Sequence, residues 1–163
     1  MSAEPGNFSP VIRPMGHADL DAVLEIEGAA YQFPWSRQIF ADCLMAGYLS
    51  SVLDTGTRVI GYSILSTAAA EAHILNLCID PDCQRQGYGQ QMLDHLLDYA
   101  DAVGVERIFL EVRPSNDAAI RLYENAGFVQ LGVRKSYYRA ADGREDALVL
   151  VLETSGEDPL GGV

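Results

Sequence analysis

The segment Gln84-Arg85-Gln86-Gly87-Tyr88-Gly89 carries the most explicit chemistry in this 163-residue chain. It lies between a predicted strand and a predicted helix, where a glycine-bearing turn can wrap a pyrophosphate. The helix start supplies N–H groups and the positive end of the helix dipole, and Arg85 adds a cation. A mere tight turn is the competing reading. The residues after Gly89 are Gln90-Gln91-Met92, so the third glycine of a dinucleotide-binding loop is absent and a Rossmann site is disfavoured. Further along, Asn116 and Tyr123 are seven residues apart on one predicted helix. At about 100° per residue that is ~20° short of two turns, so both project from one face. Glu111 falls on a charged strand face with Arg107, Phe109 and Arg113, opposite Ile108, Leu110 and Val112; an ion pair with Arg113 is its structural use.

Other reactive side chains are less suggestive. Cys43, Cys78 and Cys83 are odd in number, form no CxxC pair and find no four-ligand spacing with His17, His73 and His95, which predicts neither structural zinc nor a disulfide framework. Cys78 has no histidine close in sequence to activate it, and an apolar strand raises a thiol pKa, so packing is its expected role. His95, between Asp94 and Asp98, reads as a solvated histidine, and so do His17 and His73. Segments of the HExxH, GxxxxGK[ST] and GxSxG types are absent. Lys135 is the sole lysine, and nothing beside it suggests a Schiff base or a phosphate clamp.

Composition narrows the class. Hydrophobic residues make up 48% and charged residues 21%, the balance of a folded globular domain. The 23 acidic and 11 basic residues give a formal charge of -12, which repels nucleic acid and anionic membranes unless the cations cluster. The longest uncharged run, Val59 to Ala70, contains Gly61 and is well short of the ~20 apolar residues of a membrane span. Met1 to Pro10 lacks the basic start and apolar centre of an export signal, which predicts a cytoplasmic location.

The elements that must position these residues follow from periodicity. Val11–Arg13 reads as a strand, His17–Ala30 as an amphipathic helix, and Ser36 as the N-cap of a helix ending near Gly47. Tyr48–Leu53, Arg58–Ser66 and His73–Asp80 read as strands. Gly87–Val103 has a helical apolar stripe that Gly104 ends. Arg107–Val112 alternates as a strand, Asn116–Ala126 is a helix closed by Gly127, and Phe128–Arg134 and Ala147–Glu153 are strands. The order βααβββαβαββ predicts a mixed α/β, or α+β, domain with one sheet of about seven strands flanked by about four helices. Residues 11–153 form one expected domain, with flexible ends at 1–10 and 154–163.

Two motifs in this order are similar to those of the GNAT acetyltransferases. Gln84–Gly89 resembles the family's Q/R-x-x-G-x-G/A signature, preceded by Asn76-Leu77-Cys78-Ile79-Asp80-Pro81 as its cofactor strand. Leu110-Glu111-Val112-Arg113-Pro114-Ser115-Asn116, continued by Ala119 to Phe128, resembles its LEVR-x-SN-x-x-AI-x-LYE-x-x-GF block. The subgroup that acetylates the N-terminal alanine of a small-subunit ribosomal protein is closer still. Its FPWS segment is matched at Phe33–Ser36, its NYY at Ser136-Tyr137-Tyr138 and its GREDA at Gly143–Ala147. Arg139 replaces a usual proline and Ser136 an asparagine, on the peptide side.

The resemblance implies the GNAT fold and acetyl-CoA as cosubstrate, with no metal. It implies that main-chain groups of Leu77, Cys78 and Ile79 bind the pantetheine arm like an added strand and donate to the oxyanion near Cys78. By the same resemblance Arg85, Gln86, Gly87, Tyr88, Gly89 and Gln90 hold the pyrophosphate, and Asn116 bonds the pantetheine. A helix N-cap is the structural alternative for Asn116, one that Ser115 fills equally well. Tyr123 is the implied general acid and Glu111 the general base, directly or through water; a core aromatic is the alternative for Tyr123. Tyr31, Trp35, Tyr137 and Tyr138 are implied to line the acceptor groove, although Trp35 and Phe33 equally suit a hydrophobic plug. An α-amine is ~10 to 20% neutral at pH 7, a lysine only ~0.04%, which favours an N-terminal acceptor. The competing functions are acetylation of a small cationic amine and a non-catalytic CoA-binding module.

Overall fold

A computed structural model describes residues 9–154; the ends expected to be flexible fall outside these residues apart from their inner edges. The elements in chain order are β1 (Val11–Pro14), α1 (Leu20–Ala30), α2 (Arg37–Met45), β2 (Leu49–Asp54), β3 (Val59–Ala68), β4 (Glu71–Ile79), α3 (Tyr88–Ala102), β5 (Arg107–Val112), α4 (Asp117–Asn125), β6 (Val129–Ala140) and β7 (Gly143–Glu153), with 3-10 turns at His17–Asp19 and Pro81–Cys83. Seven strands form one sheet in the order β1-β2-β3-β4-β5-β7-β6. It is mixed: β1/β2, β5/β7 and β6/β7 are antiparallel, and β4/β5 is parallel. The expected order of strands and helices is the observed one.

The described chain divides into two compact units. One runs through Ile64 and includes Asn76–Leu93; the other holds Leu65–Leu75 and the residues from Asp94 onward. In the first, Leu53, Ile60, Ile79 and Met92 form a buried cluster with Ile12, Leu77, Cys83 and Tyr88 against it. Gly61 on β3 makes that packing possible, because a Cβ there would lie 2.7 Å from Ile79 Cδ1 and 3.1 Å from the Cys78 carbonyl oxygen. The main-chain carbonyl cannot rotate aside as a side chain can. Gly61→Ala should therefore destabilise the protein by about 1–3 kcal/mol, read as a lower urea midpoint at unchanged slope.

Polar contacts fix the entry to α1. Arg13 donates to both carboxyl oxygens of Asp19 at 2.8 and 2.9 Å and to Asp54 Oδ2 at 2.9 Å. The Asp19 carboxyl is held below its ordinary 3.8 by the Arg13 hydrogen bond, against its burial, with help from the Gly16 N–H. A folded value below the unfolded one stabilises the protein above the unfolded pKa, and the gain disappears as pH falls through the folded value. The stability gap between wild type and Asp19→Asn, measured in urea, should therefore narrow from pH 7 to pH 3. Ser36 caps α2, its Oγ accepting from the Ile39 N–H at 3.3 Å.

In the second unit Ile108, Leu110 and Val112 are buried along β5 while Phe109 and Glu111 are half-buried on the other face. The alternation matches the one read from the sequence. Strands β6 and β7 extend well beyond the expected Phe128–Arg134 and Ala147–Glu153, and pair as far as Ala140 opposite Gly143. Ser136, Tyr137 and Tyr138, outside both expected strands, therefore stand on β6. The strand is irregular there: the register shifts between Arg134 and Tyr138, Ser136 has φ 52, and the Asp146 carboxylate accepts from the Ser136 N–H at 2.8 Å.

Candidate active site

The turn before α3 bends sharply, with φ 66 at Arg85 and φ 84 at Gly87. A left-handed backbone is costly for arginine and free for glycine. The first helical bond runs from Gln91 N to Gly87 O at 3.0 Å, so Tyr88, Gly89 and Gln90 form the dipole-positive first turn. Gln84 Nε2 ties the segment to the Ile79 carbonyl at 3.2 Å. Arg85, Gln86 and Gln90 are exposed, Tyr88 and Gly89 half-buried, and a Cβ on Gly87 would meet no atom within 4 Å. This open, donor-rich bend fits a pyrophosphate.

Leu77, Cys78 and Ile79 end β4. The ladder from β4 to β5 runs from Glu71 opposite Arg107 to Ile74 opposite Leu110, so its rungs stop before this segment. Cys78 is 6% exposed, and burial first of all pushes its thiol up to about 11. A thiol so poorly ionised is a packing residue and a weak nucleophile.

Around Glu27 of α1, 2% exposed, the first unit gathers side chains that the sequence reading left apart. Its Oε1 accepts from the Tyr62 hydroxyl at 2.5 Å and from Asn76 Nδ2 at 3.0 Å, and Oε2 accepts from the Trp35 N–H at 2.8 Å. Trp35, half-buried, packs on Phe40 with ring centroids 5.2 Å apart, and Phe40 meets Tyr62 edge-on at 5.6 Å. Trp35 thus has the plug role and a fixed backbone together, whereas Phe33 is exposed. Tyr31 is the C-cap of α1, its N–H bonded to the Glu27 carbonyl at 3.0 Å. Glu27 itself gave no sequence signal, since a glutamate on an amphipathic helix reads as solvent-facing.

The second unit assembles Glu111 with two partners, and neither is the expected Arg113. His73 Nε2 lies 2.6 Å from Glu111 Oε1, and Arg134 Nη1 lies 3.5 Å from Oε2. Arg113 instead bonds Glu145 at 2.9 Å and stacks on Tyr138 at 4.4 Å. His73, expected as a solvated histidine, is instead half-buried against Glu111; β4 and β5 pair in parallel with His73 opposite Phe109, a long-range alignment no local motif announces. Burial acts to raise the Glu111 carboxyl, but the His73 hydrogen bond and charge, with Arg134, outweigh it and hold the group below the ordinary 4.5. It is ionised at neutral pH. Ser66, Glu71, His73, Phe109, Glu111 and Val149 line a cleft of about 290 Å³.

Tyr137 and Tyr138 touch edge-to-face at 4.8 Å, and Arg134 lies over Tyr137 at 4.8 Å. Burial, then the Glu111 charge, raises the Tyr137 phenol. Asn116 is the N-cap of α4, its Oδ1 accepting from the Ala119 N–H at 3.2 Å, so it and not Ser115 fills that role. Tyr123 on α4 is 6% exposed, its ring 5.5 Å from Phe128. Among the described residues no group of three or more His, Cys, Asp or Glu side chains is placed to hold a metal ion, and no helix is long and apolar enough to cross a membrane.

The acetyltransferase (GNAT) family model matches residues 20–128, and the chain belongs to that family, whose members use acetyl-CoA. Among its relatives, it is 42% identical over 137 residues to the ribosomal protein bS18-alanine N-acetyltransferase of Escherichia coli K12, a match covering 84% of this chain and 93% of that protein. The crystal structure of the ribosomal-protein-S18-alanine N-acetyltransferase from Escherichia coli aligns with a TM-score of 0.85 at 40% identity, covering 91% of this chain and 96% of that one. Ard1 from Thermoplasma volcanium aligns with a TM-score of 0.81 at 25% identity, covering 89% and 97%.

Proposed function

We propose that this acetyltransferase modifies the N-terminal α-amine of a protein, the alanine of ribosomal protein bS18, by direct attack in a ternary complex, in the cytosol. The observation that carries this reading is the cleft bearing an ionised Glu111, in a chain 42% identical to an enzyme named for that reaction. Acetyl-CoA supplies an activated acyl group as its thioester. Arg85 and the main chain from Gln86 through Gln90 hold its pyrophosphate, the main chain of Leu77, Cys78 and Ile79 pairs with its pantetheine arm, and the Asn116 amide bonds that arm. N–H groups near Cys78 donate to the oxyanion. Tyr123 returns a proton to the leaving sulfur, and the carboxylate of Glu111 drives removal of the amine proton. Tyr31, Trp35, Tyr137 and Tyr138 line the groove for the first residues of the acceptor, and the net charge of -12 attracts a basic partner.

The test is intact-mass analysis of an alanine-led peptide from the bS18 N-terminus incubated with acetyl-CoA and the protein, beside a blocked peptide carrying a free lysine. One acetyl group gained on the free peptide alone is expected. Thiol release with spermidine and none with the peptide would turn the reading to a small-amine enzyme, and no turnover with any amine would turn it to a CoA-binding module.

A further inference from the structure

Glu111 is poorly placed to meet an amine itself. Its side chain is 10% exposed, with His73 against one carboxylate oxygen and Arg134 against the other. His73 is 33% exposed and lines the same cleft. An ionised carboxylate only accepts hydrogen bonds, so the 2.6 Å contact is a donation from Nε2–H of His73 to Oε1. In the neutral ring, Nδ1 is then the remaining proton acceptor.

We infer that His73, held by Glu111, is the group that takes the proton from the incoming amine. This rests on the acetyl-transfer reading above and refines which atom serves as the base. The neutral amine attacks the thioester carbonyl and the N–C bond forms; the proton on that nitrogen passes to His73 Nδ1. As the C–S bond breaks, Tyr123 gives its proton to the departing sulfur, and solvent later exchanges protons with the imidazolium and the phenolate. Glu111 fixes the ring tautomer and stabilises the imidazolium, the division of labour of a carboxylate–histidine pair. Among the described residues, the charged and titratable groups facing the pair include Glu71 beside it on β4, and Arg134, Tyr137 and Tyr138 from β6. Imidazole ordinarily titrates near neutrality and a glutamate near 4.3, so the ring is the better-matched base for an amine.

The test is steady-state kinetics of the full chain with acetyl-CoA and the alanine-led peptide. His73→Ala should lower kcat by about 100-fold with peptide KM within about threefold, and added imidazole should restore part of the lost rate. His73→Gln keeps an N–H donor for Glu111 but accepts no proton, and should stay as slow as His73→Ala. A His73→Gln variant turning over at the wild-type rate would reduce His73 to a support for Glu111 and overturn the inference. A His73→Ala deficit untouched by imidazole would do the same. Wild-type silence on the peptide is a different failure, of the acceptor assignment; the same variants measured on spermidine then decide the role of His73.

Discussion

Tyr123→Phe should reduce kcat by roughly 100-fold or more while acetyl-CoA still binds, the range expected when a positioned general acid is lost. The substitution removes one oxygen and keeps the ring. That ring is 6% exposed and meets Phe128 at 5.5 Å, so the packing that orients α4 survives and folding changes by only about 1 kcal/mol. A rate loss far larger than the stability loss would separate chemistry from structure. Calorimetric titration with acetyl-CoA and thiol-release kinetics supply the two numbers. Turnover unchanged in the variant would remove Tyr123 as the proton donor and leave it a core aromatic.

The second large effect is on stability. Glu27→Ala should cost about 3–5 kcal/mol, because the carboxyl accepts from three donors in a place where water cannot replace it. The donors come from the Trp35 backbone, Tyr62 on β3 and Asn76 on β4. For a chain of this size each kcal/mol moves Tm by about 2–4 °C, so a fall of roughly 6 °C or more is expected in thermal unfolding. Glu27→Gln keeps the shape and one acceptor oxygen, and should lose less. If Trp35 shapes the acceptor groove, the Gln variant also raises peptide KM, because one acceptor oxygen becomes an NH2 donor and the Trp35 N–H competes with Tyr62 and Asn76 for the oxygen that remains. A drop below about 1 kcal/mol for the alanine variant would mean the three donors find other acceptors, and the clamp would not be what holds the turn.

The parts of the molecule legible in the sequence are those whose local pattern coincides with burial. Strand β5 was readable because Ile108, Leu110 and Val112 alternate with polar or larger residues, and its observed bounds are the expected ones. Helix α4 was readable from its apolar face, an N-cap at Asn116 and Gly127 behind it, which has φ 104. The arms of β6 and β7 beyond Arg134 and Ala147 were not. Lys135, Ser136, Tyr137 and Arg139 are exposed, so ladder bonds hold them in strand form without a hydrophobic period to announce it. The site divides in the same way. The Gln84–Gly89 bend and the Glu111 strand stand in contiguous motifs, whereas His73 and Glu27 acquire partners 38 and 35 residues away in sequence. A register between strands, or a helix laid on a sheet, creates those pairs, and spacing along the chain does not encode them.

The irregularities of β6 matter beyond the site. β6 is an outer strand of the sheet, and Val129, Leu131 and Val133 are 62%, 61% and 45% exposed along it. A straight strand with that aliphatic row would be a template on which a second chain could polymerise. The two register shifts, one at Gln130/Gly132 and one at Arg134/Tyr138, interrupt the straight, regular edge that such pairing needs. At the opposite margin β1 is only four residues long and ends at Pro14, which offers no amide hydrogen. Both borders of the sheet thus discourage aggregation, and the acidic surface adds colloidal repulsion between molecules that collide at high concentration.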